Sequence, residues 1–458
     1  MHTVMNVSSP AVLPTLLAPS MFEPGFLWGA ATSAAQIEGA ADERGPSIWD
    51  RFCAERGRIN DGSNIDIACD HVHRMEEDVA LMRWLGLKAY RFSFAWPRLR
   101  PAGRGSWNEK GFAFYDRLID TLLAAGIQPH ATLYHWDLPA ALHDDFGGWL
   151  SRDIVPLFAE YAEQVARCFG DRLASIATLN EPWCVATLGY ETAQFAPGLL
   201  SRKAAAQVSH HLLLSHGQAV QAMRAVTRTP LGIVLNHTPP FPAEPIEADR
   251  RAARLDDGLN VRWYMDPVFL GSYPQDVIAH LGADAPQVHE GDLAHISQPL
   301  DFLGVNFYTR SFISTAQPAL KAPGAMGFTD MGWEVYPQAL TQHLLRLTRE
   351  YAPPPMYITE NGMAHRDRVI DGRVHDGARV RYLREHLHAL AQAMELGADV
   401  RGYFYWSLLD NFEWNSGYTK RFGLFHVDYE TQRRTAKDSA CWYRDFIADH
   451  VAAGAGRA

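Results

Sequence analysis

Two short stretches carry the residues best suited to chemistry: Thr178-Leu179-Asn180-Glu181-Pro182 and Tyr357-Ile358-Thr359-Glu360-Asn361-Gly362. Each is an apolar, β-branched run that stops at a glutamate beside an asparagine. Such a run reads as a buried strand. A carboxylate at the end of a buried strand is costly unless it is paired or used. Taken singly, an Asn-Glu after a strand ordinarily opens a loop or caps a helix. Two of them mean more if both strands belong to one closed sheet, because the carboxylates can then converge. A converging pair can divide labour. One carboxylate attacks a carbon as an anion and the other lends a proton to the departing oxygen, which is the chemistry of glycosidic bond cleavage.

The elements needed to position such a pair are visible along the chain. Strand-like runs recur at Phe26–Ala31, Ala89–Phe94, Ile127–Tyr134, Ser175–Glu181, Leu231–Asn236, Phe302–Tyr308, Met356–Glu360 and Arg401–Ser407. Helical patterns lie between them. Ile154, Leu157, Phe158, Tyr161 and Val165 follow the helical spacing, as do Phe112, Tyr115, Leu118, Ile119 and Leu122. Met75, Val79 and Met82 mark a third helix that Gly86 stops, and Gly126 ends the helix before the third strand. Strands alternating with helices predict an α/β fold, a single (β/α)8 TIM barrel with elaborated βα loops. A doubly wound open sheet is the runner-up. No G-x-G-x-x-G follows a strand, which weakens its dinucleotide-binding form. In a barrel the chemistry sits at the C-terminal strand ends. Gln36, Arg91, His135 with Trp136, Asn180 with Glu181, Asn306 with Tyr308, Glu360 and Trp406 all fall on or just past strands, toward that end.

Bulk properties narrow the partners. The net charge is −10 and no Lys/Arg run occurs, so nucleic acid is not expected. A neutral or small polar substrate suits the charge better than a polyanion. The five cysteines, Cys53, Cys69, Cys168, Cys184 and Cys441, form no C-x-x-C, which predicts reduced thiols in the cytoplasm. Residues 1–20 contain Pro10, Pro14 and Pro19 and no Lys or Arg, a poor signal peptide and an expected disordered leader. The catalytic domain is expected over 21–450 and a flexible tail over 451–458. No apolar run is long enough for a membrane span. His71 and His73 form an H-x-H, with His130, His135 and His143 elsewhere. His130 and His135 are an odd number of strand positions apart and are expected on opposite faces, and no Cys/Asp cluster completes a metal site. No cofactor is expected.

The motifs together resemble family 1 of the glycoside hydrolases, the β-glucosidase family. They are Phe26-Leu27-Trp28-Gly29-Ala30-Ala31-Thr32-Ser33-Ala34-Ala35-Gln36-Ile37-Glu38-Gly39, Tyr90-Arg91-Phe92-Ser93, Tyr134-His135-Trp136-Asp137-Leu138-Pro139, both glutamate motifs, and Glu413-Trp414 ahead of Arg421-Phe422-Gly423. The resemblance covers nearly the whole chain. It implies a retaining mechanism with Glu181 as acid/base and Glu360 as nucleophile, supported by Arg91, Tyr308 and Asn306. It further implies that Gln36, His135, Asn180, Glu413, Trp414 and Phe422 hold the non-reducing sugar over the floor of Trp406. Trp333, with Cys184 and Leu188, would line the aglycone entrance.

The implied activity is hydrolysis of terminal β-D-glucosyl residues from β-glucosides and short cello-oligosaccharides, with β-galactosides and β-fucosides as accompanying substrates. Members acting on 6-phosphorylated sugars usually carry a small residue at the position of Glu413, so the carboxylate here favours a neutral sugar. The alternatives are a 6-phospho-β-glucosidase, a transglycosylase and a catalytically inactive sugar-binding protein. Oligomeric state is not derivable from the sequence.

Overall fold

The computed structural model describes residues 17–455. Eight parallel strands close into a barrel. They are β1 (Leu27–Ala31), β2 (Ala89–Ser93), β3 (Gln128–Tyr134), β4 (Ser175–Asn180), β5 (Leu231–His237), β6 (Phe302–Phe307), β7 (Met356–Asn361) and β8 (Val400–Trp406). Each neighbours the next, and β1 pairs with β8 to close the ring, from Leu27 opposite Gly402 to Ala31 opposite Trp406. This is the (β/α)8 barrel expected from the alternating pattern.

Helices wrap the strands because one face of each is apolar. In Glu109–Ala124 the buried stripe is Phe114, Tyr115, Leu118, Ile119 and Leu122. In Ile154–Phe169 it includes Ile154, Phe158, Tyr161 and Val165. Each such side chain, fully buried, contributes about 1.5–3 kcal/mol. Gly86 (φ 75°) and Gly126 (φ 71°) turn the chain out of a helix through the left-handed region, which suits glycine.

Register does more than close the barrel. Arg91 and Trp406 both pair with Ala31, which places them at one level near the C-terminal rim. Asn306 pairs with Glu360. Two strands carry an extra residue at that rim. In β4, Ala177 faces Gly232 but Asn180 faces Val234. In β7, Ile358 faces Val305 but Glu360 faces Asn306. Such bulges break the strict in–out alternation and re-aim side chains. They occur at the ends of the two strands that lead to the glutamates.

Beneath the loop after β8 lies a buried ion network. Arg379 bonds Asp367 at 2.8 Å and also Asp376. Lys437 bonds Asp367 and, at 2.6 Å, Asp410, which takes Arg421 at 2.7 Å. Gly423 N–H donates to Asp410 and Arg379 donates to Arg421 O, so the network grips the loop that carries Phe422.

Three expectations are corrected. The leader does not extend to residue 20: Leu17 packs on the core and Pro19–Met21 forms a 3-10 turn, while residues 1–16 lie outside the described residues. The tail does not begin at 451, because the helix Asp438–Ala455 runs through it on helix-favouring alanines. Its His450 ring accepts from Trp28 Nε1 at 3.1 Å and bonds Glu23 O at 2.9 Å. His130 and His135 do not diverge across the sheet. His130 packs on Phe404 inside the barrel, and His135 packs on Trp406 at the mouth. Alternation is already lost within the strand: Thr132 takes Arg91 inside the barrel, while Tyr134, two residues on, packs on Trp149.

Candidate active site

The C-terminal ends of the strands bring both glutamates and their partners into one buried cluster. Glu181 is the first residue past β4 and has a left-handed backbone (φ 48°). Trp136 (φ 80°) and Trp414 (φ 49°) share that feature. A non-glycine residue held there costs about 1–3 kcal/mol and persists only where surroundings impose it. The Glu181 N–H donates to Val234 O at 2.9 Å, and its carbonyl accepts from Cys184 N as the chain turns into a helix after Pro182. The turn ends the strand one residue earlier than its apolar run suggests.

The two carboxyls have different partners. Arg91 Nη1 donates to Glu360 Oε1 at 2.7 Å, and the Tyr308 hydroxyl donates to Oε2 at 2.7 Å. Burial keeps Tyr308 well above its ordinary pKa, so it stays a donor. Burial also pushes the Glu360 carboxyl up, against the pull of Arg91 and Tyr308. Glu181 has only neutral donors: Asn306 Nδ2 on Oε1 at 2.7 Å and the Cys184 thiol on Oε2 at 3.1 Å. Burial, then the nearby Glu360 charge, push Glu181 up to about 8. The guanidinium favours the anion on Glu360, and Glu181, bonded only by neutral donors, is the carboxyl that burial and the Glu360 charge bias toward holding a proton.

One donor fixes the rest of the network. Arginine cannot accept, so Asn180, bonded by Arg91 Nη2 at 2.7 Å, must present its oxygen there. Its Nδ2 then faces His135 Nε2 at 3.0 Å, which must accept. Burial and Arg91 hold His135 well below its ordinary pKa, so the ring is neutral. A neutral ring that accepts at Nε2 carries its proton on Nδ1. That nitrogen is buried without a hydrogen-bond partner, which leaves it an unused donor. Asn306 Nδ2 also donates to Asn180 Oδ1, at 3.1 Å.

The profile of glycosyl hydrolase family 1 matches residues 18–452. The chain belongs to glycosyl hydrolase family 1. Among its relatives, a β-glucosidase of Agrobacterium sp. is 46% identical over 94% of this chain and 96% of its own. A bifunctional β-D-glucosidase/β-D-fucosidase of Bifidobacterium breve is 44% identical over 94% and 99%. The family 1 β-glucosidase of Thermotoga maritima superposes with a TM-score of 0.91 at 42% identity, covering 94% of this chain and 98% of that one. A complex of the T. maritima β-glucosidase with glucoimidazole gives 0.90 at 42% identity, covering 93% and 98%.

Within this family 1 chain the remaining residues fall into two groups. Gln36 is fully buried; Ser33 donates to its Oε1, and its Nε2 donates to Asn411 Oδ1 and Phe412 O. Its N–H groups are committed, and only an oxygen lone pair remains unused. Glu413 keeps one buried oxygen, Oε2, without a partner. Burial, then Glu360 and Glu181, push it up to about 8. Trp406 and Phe422 pack with Ala31 and Phe404 in an apolar cluster separate from the main core. Trp414 packs on Trp136 with ring centres 4.4 Å apart.

Trp333 packs against Tyr308 and Phe422. Leu188 is half-buried against the core. Cys184 is buried, and one helical turn past Glu181 its thiol meets the carboxyl itself. Sequence reasoning missed Thr359, whose hydroxyl bonds Asn306, and Thr132, which takes Arg91 Nε at 3.2 Å. A register slip of one residue in β7 hides the first.

Proposed function

We propose that the protein is a retaining β-glucosidase working by double displacement, with Glu360 as nucleophile and Glu181 as acid/base. The observation that carries the division is the asymmetry of partners: a guanidinium and a phenol on Glu360, neutral donors on Glu181. Glu360 attacks the anomeric carbon while Glu181 protonates the leaving oxygen. Glu181, now ionised, then takes a proton from the water that releases the sugar. The covalent step is tested with a 2-deoxy-2-fluoro-β-glucoside bearing an activated leaving group. The expected result is a stable adduct on the peptide containing Glu360; an adduct on another residue overturns the assignment.

The substrate is a neutral β-glucoside, including short cello-oligosaccharides. Arg421 and Lys420, the cations nearest the loop after β8 in sequence, are already engaged. Lys420 bonds Asp330 at 2.9 Å and Arg421 bonds Asp410 at 2.7 Å. With Glu413 Oε2 unpartnered beside them in sequence, no cation in that loop is left for a phosphate. The bifunctional Bifidobacterium relative supports β-fucosides as further substrates. His135, Asn180, Gln36, Glu413, Trp414 and Phe422 hold the sugar over Trp406, and Trp333 meets the aglycone. The cytoplasm is the proposed compartment, supported by five unpaired cysteines.

A further inference from the structure

The acid/base is held by Asn306, and the structure shows what holds Asn306. An asparagine amide has two ends of opposite character, and only its nitrogen can donate to a carboxylate. Asn306 is fully buried, so it cannot borrow water to choose its orientation. On the nitrogen side it meets Glu181 Oε1 and Asn180 Oδ1. On the oxygen side it meets a single hydroxyl, Thr359 Oγ1, at 2.7 Å.

Thr359 reaches that position by a built irregularity. In a regular strand, neighbours point to opposite faces, so Thr359 and Glu360 could not both serve the same pocket. The extra residue between Ile358 and Glu360 removes that restriction. Gly304 on β6 supplies the room: a Cβ there would lie 2.9 Å from both Thr359 Oγ1 and Cγ2.

We infer that Thr359 is a positioning residue for proton transfer: its hydroxyl anchors the Asn306 amide so that its N–H stays on Glu181. Without the hydroxyl, Asn306 Oδ1 is a buried acceptor with no donor. A full flip is barred, because Oδ1 would then meet Asn180 Oδ1, which Arg91 fixes as an acceptor, and the carboxyls of Glu181 and Glu360. Relief comes from the unanchored amide shifting, which weakens its N–H bond to Glu181 and so the donor that favours the ionised base. The basic limb of the pH–rate profile then moves up. The inference rests on Glu181 being the acid/base.

The test is the pH dependence of kcat/KM for a β-glucoside with a poor leaving group. In Thr359→Val the basic limb is expected to move up by about half a pH unit or more. Thr359→Ser, which keeps the hydroxyl, is expected to return it. Thr359→Ala also lacks the hydroxyl and carries the same expectation should valine not be accommodated. Glu181→Gln identifies the limb's owner. If the limb survives in Glu181→Gln, the acid/base reading falls and this inference with it. If Glu181 owns the limb and it stays in place in both Thr359→Val and Thr359→Ala, the positioning role is overturned while the acid/base reading stands. A drop in kcat without a shift is the mark of a merely structural threonine and has the same force.

Discussion

Two regions of this molecule bury several charges, and they do it in opposite ways. Beneath the loop after β8, Arg379, Lys437 and Arg421 face Asp367, Asp376 and Asp410, and every carboxylate has a cation. At the mouth of the barrel Glu181, Glu360 and Glu413 are buried together; Arg91 bonds Glu360 and acts on Glu181, and the influences on Glu413 are burial and the other two carboxyls. Balanced burial holds the first region in one shape. Unbalanced burial forces protons onto two of the three carboxyls in the second, and a proton held at neutral pH is a proton available for transfer. The difference distinguishes a clamp from a reaction centre without reference to motifs.

The strongest way to break the comparison is to remove the one ionised carboxylate. Glu360→Ala is expected to lower kcat at least about 10⁴-fold while leaving the thermal midpoint near that of the parent. Added azide should restore turnover and give the α-glucosyl azide, read by NMR. Next is the proton donor. Glu181→Gln is expected to cost about 10²–10⁴-fold on alkyl glucosides or cellobiose and far less on dinitrophenyl glucoside, which needs no acid. In the parent, activity on the poor leaving groups falls as pH rises through about 8, where Glu181 loses its proton.

The balanced region should fail differently. Lys437→Ala leaves Asp367 and Asp410 buried without that cation, and denaturant unfolding should show a loss of about 3–5 kcal/mol. The pH–rate limb should stay where it is in whatever fraction folds. The smallest effect concerns Glu413. Glu181 and Glu413 hold protons in the folded protein that the unfolded chain releases near 4.5. Their contribution to stability is therefore present in acid and lost as pH rises from 4.5 to about 8. Glu413→Gln should make that decline in thermal midpoint shallower. It should also lower kcat/KM on a neutral glucoside about tenfold, the loss of roughly one hydrogen bond at about 1.5 kcal/mol.

Much of this was legible from the chain. The barrel strands announce themselves as local apolar runs, and the glutamates stand out because such runs end on a charge. What sequence pattern concealed is what register decides. Alternation puts Thr359 on the face opposite Glu360, and only the extra residue in β7 brings them together. Cys184 looks like a wall residue because its distance from Glu181 in space depends on how sharply the chain turns after Pro182. The ion network joins the segment between β7 and β8 and the loop after β8 to Lys437, just before the C-terminal helix, and no local pattern pairs Lys437 with Asp367 or Asp410. The last helix turn was underestimated because Ala-Gly-Ala reads as loose chain until His450 is seen tied to Trp28.

The closure of the barrel also sets an order in time. β1 has no partner on one side until β8 has been made, and Gln36 is held by Asn411 and Phe412 from the far end of the chain. A ribosome that has finished the segment bearing both glutamates has still not supplied Trp406, Glu413 or the strand that seals the ring. The nascent protein thus carries both reactive groups, unsealed and unable to grip a sugar, until the closing strand and the loop after it are made. Competence arrives only with that last segment, so an early stop in translation yields a species that is inert, not one that is weakly active.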